Sequence, residues 1–460
     1  MFIQYKEIHF VGIGGIGMSG IAEILHNLNY EVTGSDIKES ETTRRLRDLG
    51  IKIFIGHDEK NIIRPHVVVV SSAVSSDNPE VVAARKKAIP VIPRAEMLAE
   101  LGRLKYGILV AGAHGKTTTT SLVATILAEG GLDPTVVIGG KLKAIGGNAR
   151  LGQGDFIVAE ADESDGSFLK LSPTIAVLTN IDKEHLDFFK DIEQLKKAFL
   201  KFANKIPFYG TAVVCIENEH TRDIMPFIER RIITYGNSDK ADIFPANIKR
   251  FERKMTFDAV YKGELLGNFT IPIPGVHNIL NSLAAIGVSK ELQIPAGVIK
   301  NALGNFSGIQ RRFEHKGECR GIKIFDDYGH HPTEIMATLK AARGCFEKNR
   351  LIVVFQPHRY TRTRDLIDEF AACFDEADSL YLMDIYSAGE KPIEGIHSKV
   401  LMEGFRRYGK RDLNYISDRN ELISQVKTRI KEGDIIITLG AGDVYKIGEE
   451  LYRTISNENG

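Results

Sequence analysis

The sequence predicts an α/β protein that is built on parallel sheets and divided into three domains. Short apolar segments bounded by turn residues alternate with helical patterns along the chain, which is typical of parallel strands joined by crossover helices. The length of 460 residues exceeds what one hydrophobic core usually serves, since a domain has roughly 150 residues. The strand-like segments fall into three successive series, which indicates one sheet for each domain.

The first and third series predict Rossmann-like domains at residues 1–103 and 309–460, and the less regular central series predicts a domain at 104–308. In the first domain strands are expected at residues 8–11, 31–34, 51–55, 67–70 and 91–92. In the central domain they are expected at residues 106–111, 156–159, 175–178, 211–216 and 254–261. In the third they are expected at residues 322–325, 351–355, 379–383 and 434–439. Polar residues follow these strands, at the carboxyl ends where such folds bind ligands.

The composition excludes several classes of protein. Basic and acidic residues number 60 each, so no overall field attracts the chain to nucleic acid or to an anionic membrane. The amino terminus lacks the features of a signal peptide, and no apolar stretch is long enough to span a membrane. The four cysteines are far apart, which argues against a zinc site or a disulfide framework. We therefore expect a cytoplasmic protein with reduced thiols.

A glycine-rich loop separates the strand at 106–111 from a helical pattern. It reads Gly112-Ala113-His114-Gly115-Lys116-Thr117-Thr118. Glycines let backbone N–H groups approach phosphates, Lys116 can bridge the β- and γ-phosphates, and the hydroxyl of Thr117 suits Mg²⁺. Val110 stands where the longer GxxxxGK[ST] pattern requires glycine, so the loop is the shorter GxxGKT form. A turn that only packs the helix on the strand is the alternative, but the lysine and threonines favour a P-loop ATPase domain that binds ATP.

Candidate metal ligands follow the next two strands of the central series. Glu160 lies at the end of one strand, and His185 lies just beyond the end of another. Because Mg²⁺ prefers oxygen ligands, Glu160 beside Thr117 is the expected metal site. His185 is a softer ligand, and a histidine in a loop is more often a surface or hydrogen-bonding residue.

The amino-terminal strand is followed by a second glycine-rich segment, Gly12-Ile13-Gly14-Gly15-Ile16-Gly17. Asp36 stands nineteen residues after Gly17, at the end of the next strand. This spacing fits the dinucleotide fingerprint, in which the acid binds a ribose hydroxyl. Taken alone it predicts an NAD-dependent dehydrogenase, but the same loop suits the diphosphate of any nucleoside. A turn that binds nothing is the third possibility.

Two polar clusters of the third domain begin where apolar strands end, at residues 325–332 and 355–362. Arg359 and Arg362 could hold a carboxylate through paired hydrogen bonds. Asp327 could contact a ribose or a metal-bound water. Arg312 and its neighbour Arg311 suit the charge that develops on a phosphoryl group during transfer.

These segments together resemble the Mur ligases of bacterial peptidoglycan synthesis. The resemblance covers nearly the whole chain and is carried by residues 9–20, 112–120, 160–165, 276–278, 311–314, 326–334 and 356–363. It implies a UDP-sugar-binding domain, an ATPase domain, and a carboxy-terminal domain that closes over ATP and the amino acid. It also implies a role in cell wall biogenesis, and so in cell shape and division.

The resemblance further implies roles for individual residues. Lys116 would hold the terminal phosphates of ATP, and Arg312 and Asp327 would reach the nucleotide from the third domain. Two Mg²⁺ ions would be served by Thr117, Glu160 and His185. Adenine would be bound by Asn278 with His277 nearby. The UDP site would comprise Gly14, Gly15, Gly17, Asp36, His57 and Ser71, and the L-alanine site Tyr328, His330, Arg359 and Arg362. A carbamylated lysine found in sister ligases has no secure match among Lys196, Lys197 and Lys201.

The implied reaction is the formation of an amide bond. The lactyl carboxylate of UDP-N-acetylmuramate attacks the γ-phosphate of ATP, and the amine of L-alanine displaces phosphate from the acyl phosphate. Lys116, Arg312 and Asp327 would then be catalytic, with His330 assisting loss of the amine proton. The alternatives are a recycling ligase that attaches a tripeptide to the same nucleotide sugar, the dehydrogenase, and a nucleotide-sensing regulator without turnover. The sequence does not indicate an oligomeric state.

Overall fold

The chain forms three sheets that are distributed over two compact units. The computed structural model describes residues 6–71, 73–103, 105–142, 147–184, 186–409 and 412–457. The first unit comprises Met1–Ile248, Thr256–Ile271 and Asn278–Ser307, and the second comprises Lys249–Met255, Pro272–His277 and Gly308–Gly460. The first sheet and most of the second belong to the first unit, and buried apolar side chains of both sheets share one core cluster. Each sheet lies within one of the three predicted domains, whose exact limits remain a prediction.

The first sheet is entirely parallel, and all five of its predicted strands are confirmed. They are β1 (Glu7–Val11), β2 (Glu31–Asp36), β3 (Lys52–Ile55), β4 (Val67–Val70) and β5 (Val91–Pro93). The helices are α1 (Ile16–Asn27), α2 (Glu41–Asp48), α3 (Pro79–Lys86) and α4 (Arg94–Gly102). The order β3-β2-β1-β4-β5 reverses between β1 and β4, and ligands of such sheets bind beside this reversal.

The second sheet carries the phosphate loop between its strand β6 and helix α5. Its strands are β6 (Tyr106–Ala111), β7 (Thr135–Leu142), β8 (Gly147–Arg150), β9 (Phe156–Ala161), β10 (Ile175–Leu178), β11 (Thr211–Cys215), β12 (Arg231–Tyr235), β13 (Ile243–Phe251), β14 (Lys254–Tyr261) and β15 (Glu264–Ile271). Its helices are α5 (Lys116–Glu129), α6 (Leu186–Phe189), α7 (Ile192–Ala203), α8 (Glu219–Ile224), α9 (Val276–Glu291) and α10 (Ala296–Gly304). The order β15-β14-β13-β12-β11-β10-β6-β9-β7-β8 places β6 between β10 and β9. Both neighbours run parallel to β6, so their carboxyl ends flank the loop.

The third sheet is doubly wound, as predicted, with one antiparallel strand added at its edge. Its strands are β16 (Glu314–Cys319), β17 (Ile322–Asp327), β18 (Leu351–Phe355), β19 (Ser379–Leu382), β20 (Leu413–Tyr415) and β21 (Ile435–Leu439), and its helices are α11 (Pro332–Cys345), α12 (Tyr360–Asp365), α13 (Ile367–Ala372), α14 (Ser398–Arg407), α15 (Arg419–Arg429) and α16 (Tyr445–Asn457). The order is β16-β17-β21-β18-β19-β20, and β16 pairs antiparallel with β17. Apolar residues cover both faces: Val353 and Ile437 belong to one core, and Ile352 and Ile436 to the other. Such burial on both faces explains why the central strands are continuously apolar.

The cysteines and the described helices were also the subject of expectations from the sequence. All four cysteines are free thiols, as expected from their spacing. Among the described helices none is long and apolar enough to cross a membrane.

Candidate functional site

The phosphate loop depends on glycine at two positions. Gly112 has a φ of 142°, and a side-chain carbon there would lie 2.9 Å from the carbonyl oxygen of Asn180. Gly115, which precedes α5, has a φ of 83°, and a side-chain carbon would lie 2.7 Å from Oδ1 of Asn281. Other residues rarely adopt such φ values. The conformation and the close neighbours therefore both require glycine.

The carboxyl end of β10 shapes the phosphate loop from one side. Asn180 accepts a hydrogen bond from the backbone N–H of His114 through Oδ1 at 2.8 Å, and the Thr179 hydroxyl donates to the carbonyl of His114 at 2.7 Å. The ring Nε2 of His114 lies 3.0 Å from Oδ2 of Asp182. The backbone groups of His114 thus stabilise the loop. The N–H groups in the first turn of α5, which lack partners within a helix, remain the natural donors to a phosphate.

Lys116, the first residue of α5, has an acidic partner to which the sequence did not assign a role. Its Nζ lies 3.0 Å from both carboxylate oxygens of Glu163 and 3.2 Å from the carbonyl oxygen of Ala113, and it also donates to the carbonyl of Gly112. Burial alone would lower the pKa of Lys116, but Glu163 and other nearby carboxylates outweigh it and raise the pKa. Burial acts to raise the pKa of Glu163, and the adjacent charge of Lys116 opposes that shift and favours the carboxylate.

The predicted magnesium ligands lie at the ends of neighbouring elements. Thr117 is buried in the first turn of α5. Glu160 pairs with Val110 across β9 and β6, and its Oε1 accepts a hydrogen bond from the N–H of Gly139 at 2.6 Å. A hydroxyl and a carboxylate are hard oxygen donors, which suits Mg²⁺. His185, the third predicted ligand, lies outside the described residues.

Helix α9 connects the predicted adenine site to the phosphate loop. Asn278 is buried in the first turn of this helix, and its Oδ1 accepts a hydrogen bond from Nδ2 of Asn281 at 3.2 Å. Asn281 in turn accepts a hydrogen bond from the Thr119 hydroxyl of α5 at 3.2 Å. His277 is partly buried in the second unit, and burial followed by the charge of Arg312 lowers its pKa to about 4. His277 is therefore neutral near pH 7.

The glycine loop of the first domain is closed by Asp36. The carboxylate accepts a hydrogen bond from the N–H of Gly14 at 2.8 Å, and a side-chain carbon on Gly14 would approach Oδ2 to 2.8 Å. Gly15 caps α1, which begins at the next residue. Ser71, at the end of β4, packs against Gly12, where a side-chain carbon would lie 3.2 Å from Cβ of Ser71. The predicted residues of the diphosphate site therefore do come together.

An arginine that the sequence did not single out lies over the start of α1. A side-chain carbon on Gly17 would lie 3.1 Å from the guanidinium carbon of Arg94, the first residue of α4. Arg94 also pairs with Asp162 at 3.4 Å. The first turn of α1 therefore combines a helix N-terminus with a guanidinium, and both favour a bound anion.

His57, near the carboxyl ends of the strands in the first sheet, contacts a buried carboxylate. Its Nδ1 lies 3.0 Å from the Ser35 hydroxyl and 3.2 Å from Oε2 of Glu80. Glu80 is fully buried. Burial would raise its pKa, but the nearby ring of His9, with Nε2 3.8 Å from Oε2, and hydrogen bonds from Ser35 and Asn61 lower it, so the carboxylate is charged. A charged acceptor at Nδ1 places the ring proton there and the lone pair on Nε2.

In the third domain, Arg311 is engaged within its own fold. Its Nε donates to Asp326 at 2.9 Å, and its two terminal nitrogens donate to the carbonyls of Gly442 and Gly440. The guanidinium carbon lies 5.1 Å and 4.7 Å from the rings of Tyr328 and Tyr445. Each of the three guanidinium nitrogens of Arg311 thus donates a hydrogen bond within the third domain. The role that the sequence suggested for Arg311 beside Arg312 stays a prediction.

Asp327 positions the segment that carries Arg312. One carboxylate oxygen accepts a hydrogen bond from the N–H of Phe313 and the other from the N–H of Gly329, both at 2.7 Å. Burial raises the pKa of Asp327 to about 6, against the effect of Arg312 and these N–H groups. The guanidinium of Arg312 lies 3.3 Å from Oε1 of Glu334. Both oxygens of Asp327 thus bind backbone, a function that the sequence did not predict.

The predicted amino-acid residues Tyr328, His330 and Arg362 are connected by a histidine to which no role had been assigned. The ring of His330 lies 5.3 Å from that of Tyr328 and 5.6 Å from that of His358. Nδ1 of His358 lies 3.4 Å from the guanidinium of Arg362. Burial, then the neighbouring His330 and arginines, lower the pKa of His358 to about 3. His358 is therefore neutral, and it packs flat on Tyr386 at 5.6 Å.

Arg359 belongs to the same cluster through its backbone. It has a φ of 72°, which is unusual for an arginine, and its N–H donates to the carbonyl of Tyr386 at 2.8 Å. Its guanidinium is 3.9 Å from Glu390, whose carboxylate also accepts a hydrogen bond from the Thr361 hydroxyl at 2.7 Å. The cluster places two guanidiniums near the neutral His358 and its neighbour His330, an arrangement suited to a small zwitterion.

Comparison with known proteins identifies the class to which this fold and site belong. Residues 7–106 match the family model "Mur ligase family, catalytic domain", residues 110–289 match "Mur ligase middle domain", and residues 311–442 match "Mur ligase, glutamate ligase domain". The chain belongs to the Mur ligase family. The match to the middle domain explains the phosphate loop, which a dehydrogenase would leave without a function.

Several close relatives of the chain carry the same activity name. A UDP-N-acetylmuramate--L-alanine ligase of Geotalea uraniireducens is 57% identical over 458 residues, which is 100% of both chains. The protein of that name from Geobacter sulfurreducens is 56% identical and covers 98% of this chain and 97% of its own. The crystal structure of UDP-N-acetylmuramate-alanine ligase MurC from Thermotoga maritima superposes with a TM-score of 0.85 at 30% identity, covering 98% of this chain and 99% of that one.

Proposed function

We propose that this protein is an ATP-dependent ligase that joins L-alanine to UDP-N-acetylmuramate in peptidoglycan precursor synthesis. The observation that carries the proposal is the full-length identity of 57% to a ligase of that name. The geometry of the phosphate loop supports it, because a lysine begins a helix directly after a buried strand and two strained glycines. Residues 1–103 would bind the UDP-sugar, residues 104–308 ATP, and residues 309–460 the amino acid.

The triphosphate would bind at the first turn of α5. Backbone N–H groups of this turn and the ammonium of Lys116 can neutralise the β- and γ-phosphates. Asn278 at the start of α9 would bind the adenine, with His277 as its neighbour in sequence. When bound, Mg²⁺ supplies further positive charge, and we assign Thr117, Glu160 and His185 to two such ions.

The nucleotide sugar would bind along the carboxyl edge of the first sheet. The diphosphate would lie on the first turn of α1, where Gly14, Gly15 and Gly17 keep the backbone accessible. Asp36, His57 and Ser71, at the ends of β2, β3 and β4, would bind the nucleoside. The Nδ1 contact with Glu80 supports an acceptor role for Nε2 of His57.

The first chemical step would transfer the γ-phosphoryl group to the lactyl carboxylate. A carboxylate oxygen forms the new P–O bond while the bond to the β-phosphate oxygen breaks, giving an acyl phosphate and ADP. Phosphorylation is needed because a free carboxylate has no good leaving group. Lys116 and Arg312 would stabilise the charge on the transferring group, and Asp327 would hold the backbone that presents Arg312.

The second step would require an uncharged amine. Tyr328, Arg359 and Arg362 would hold the carboxylate of L-alanine, and His330 would accept a proton from its ammonium group. Nδ1 of His330 lies 3.1 Å from the carbonyl oxygen of Tyr328 and 3.4 Å from Glu334. Because both neighbours are acceptors, the ring proton belongs on Nδ1 and the basic lone pair on Nε2. The amine then attacks the acyl carbon, and phosphate leaves.

The proposal is tested by phosphate release with ATP, Mg²⁺, UDP-N-acetylmuramate and a panel of amino acids. We expect release with L-alanine that depends on all three substrates, and little with the tripeptide L-alanyl-γ-D-glutamyl-diaminopimelate. Lys116→Ala should abolish release, whereas Lys300→Ala, an exposed lysine of α10, should leave it unchanged. Turnover with the tripeptide but not with L-alanine would contradict the proposed substrate, and full activity of Lys116→Ala would contradict the assigned site.

A further inference from the structure

The ammonium of Lys116 has no hydrogen left for a ligand. An ammonium group donates three hydrogen bonds. Glu163 accepts with two oxygens at 3.0 Å, and the carbonyls of Gly112 and Ala113 provide further acceptors. The donors that Lys116 would offer to a triphosphate are therefore already used by the protein itself, whereas the backbone N–H groups of the first turn of α5 are not part of this pair.

Glu163 is buried, so its carboxylate needs the positive charge of Lys116. Its side chain is 2% exposed, and that of Lys116 is 14% exposed. A buried carboxylate without a cation or hydrogen-bond donors is strongly unfavourable, and the same holds for a buried ammonium. Each group thus stabilises the charge of the other. The terminal phosphates of a nucleotide carry the same sign of charge as Glu163 and can replace it as acceptors for Lys116.

We propose that Glu163 is a counter-ion that holds Lys116 within the phosphate loop until a triphosphate takes its place. Glu163 is then a positioning residue: it keeps the lysine charged and directed into the loop, and it competes with the ligand. The inference rests on the proposed function only in taking the ligand to be a nucleoside triphosphate. It implies that a triphosphate can bind Lys116 only after Lys116 separates from Glu163. The affinity for the triphosphate is therefore lower than it would be for the same loop without this ion pair.

The preceding residue provides a matched control for this inference. Asp162 carries the same charge one position earlier, at the border of β9 and the following loop. It pairs with Arg94 at 3.4 Å, and its side chain is 43% exposed. Replacing Asp162 removes one negative charge from the same region while the pair between Lys116 and Glu163 persists. A general electrostatic effect would therefore change the ATP affinity of both variants. Release of Lys116 from its ion pair would change the ATP affinity of the Glu163 variant only.

The test is calorimetric titration of the full-length protein with ATP in excess EDTA, so that metal binding does not contribute. We expect Glu163→Gln to bind ATP about tenfold more tightly than the wild type, because Lys116 no longer has to leave an ion pair before it binds the phosphates. Asp162→Asn should bind ATP within about twofold of the wild type, a difference near the error of such titrations. Adenosine, which lacks phosphates, should bind all three proteins equally.

The outcomes separate this inference from the proposed function. If the wild type binds no ATP, the proposed function fails. If it binds ATP but Glu163→Gln binds equally or more weakly, or Asp162→Asn tightens as much, the counter-ion role is wrong. Should Glu163→Gln not fold, as judged by circular dichroism, Glu163→Asp replaces it. This carboxylate keeps the charge but is one methylene shorter, so its pair with Lys116 is weaker and ATP should bind more tightly than to the wild type. Unchanged or weaker ATP binding in a folded Glu163→Asp would contradict the proposal.

Discussion

Arg94 is the side chain whose role changes most once the fold is known. As the first residue of α4 it reaches the first turn of α1, where a diphosphate would bind, and it contacts Gly17 and Asp162. A guanidinium can donate two parallel hydrogen bonds to a phosphate, and a helix N-terminus alone contributes less. Arg94 is therefore the cation that we expect to bind the diphosphate of the nucleotide sugar.

Replacing this arginine should weaken one substrate selectively. For Arg94→Ala we expect KM for UDP-N-acetylmuramate to rise about tenfold, which corresponds to a loss of roughly 1.4 kcal/mol in binding. The affinity for ATP should stay close to that of the wild type, because the phosphate loop keeps Lys116 and Glu163. Arg103→Ala, which removes an exposed arginine at the other end of α4, is the control and should leave KM unchanged. An unchanged KM in Arg94→Ala would exclude the role.

The comparison of Arg94 with Lys116 shows which site residues a sequence can indicate. Lys116 belongs to a local pattern of strand, glycine loop and helix, so its position could be predicted without the fold. Glu80, Glu163 and Arg94 act on partners that are distant along the chain: His57 lies 23 residues from Glu80, Lys116 47 residues from Glu163, and Gly17 77 residues from Arg94. No spacing rule brings such residues together. Arg311 shows the same limit, because its charge suggested catalysis, a role that stays a prediction, while the sequence did not indicate its contacts with Asp326 and the carbonyls of Gly440 and Gly442.

At the level of elements, helix α5 depends on glycines at both ends for different reasons. Gly112 and Gly115 precede the helix and combine a positive φ with close neighbours. Gly131 follows it with a φ of 75°, and a side-chain carbon there would meet no atom within 4 Å. All three glycines have a positive φ that strains other residues, but only Gly112 and Gly115 also lack space for a side chain. A pair of alanine substitutions can therefore separate the two effects.

Gly112→Ala should lose ATP binding as well as stability, because the added carbon would displace Thr179 and Asn180, which shape the loop. Gly131→Ala should lose stability by about 1 kcal/mol, the cost of a left-handed alanine, and keep the ATP affinity of the wild type. Thermal unfolding and ATP titration on the same samples measure both quantities. Normal ATP affinity in Gly112→Ala would show that the contacts with Thr179 and Asn180 do not determine the loop.

The elements that the sequence did not predict lie mainly where sheets end. The strands β8, β15, β16 and β20 are all at sheet edges. Residues in edge strands are less buried, so the alternating or continuous apolar pattern that marks a strand is weak. For example, β20 has only three residues, and β16 has the mostly polar sequence Glu-His-Lys-Gly-Glu-Cys. Three interior strands, β7, β12 and β13, were not predicted either. β7 contains Gly139-Gly140, which suggests a turn. The strands that carry the phosphate loop and the polar clusters are buried and apolar, and these were predicted.

For the whole molecule, the candidate substrate sites are divided between the two compact units. The first unit contains the glycine loop of the nucleotide sugar and the phosphate loop, and the second contains the cluster of Tyr328, His330, His358 and Arg362. Each cluster is held by contacts within its own unit. We therefore expect substitutions in one cluster to leave the intrinsic affinity for the substrate of the other unchanged.

Arg362→Ala tests this division directly. The loss of charge-assisted hydrogen bonds, worth about 1.5–3 kcal/mol, should raise KM for L-alanine by about ten- to a hundredfold. ATP measured alone by titration should bind as in the wild type, because the phosphate loop and Asn278 belong to the first unit. Arg364→Ala, an exposed arginine two residues further along α12 that pairs with Asp365, is the control for the helix. Weakened ATP binding in Arg362→Ala alone would mean that this arginine serves the nucleotide, and the amino-acid site would then have to be sought among residues other than Arg362.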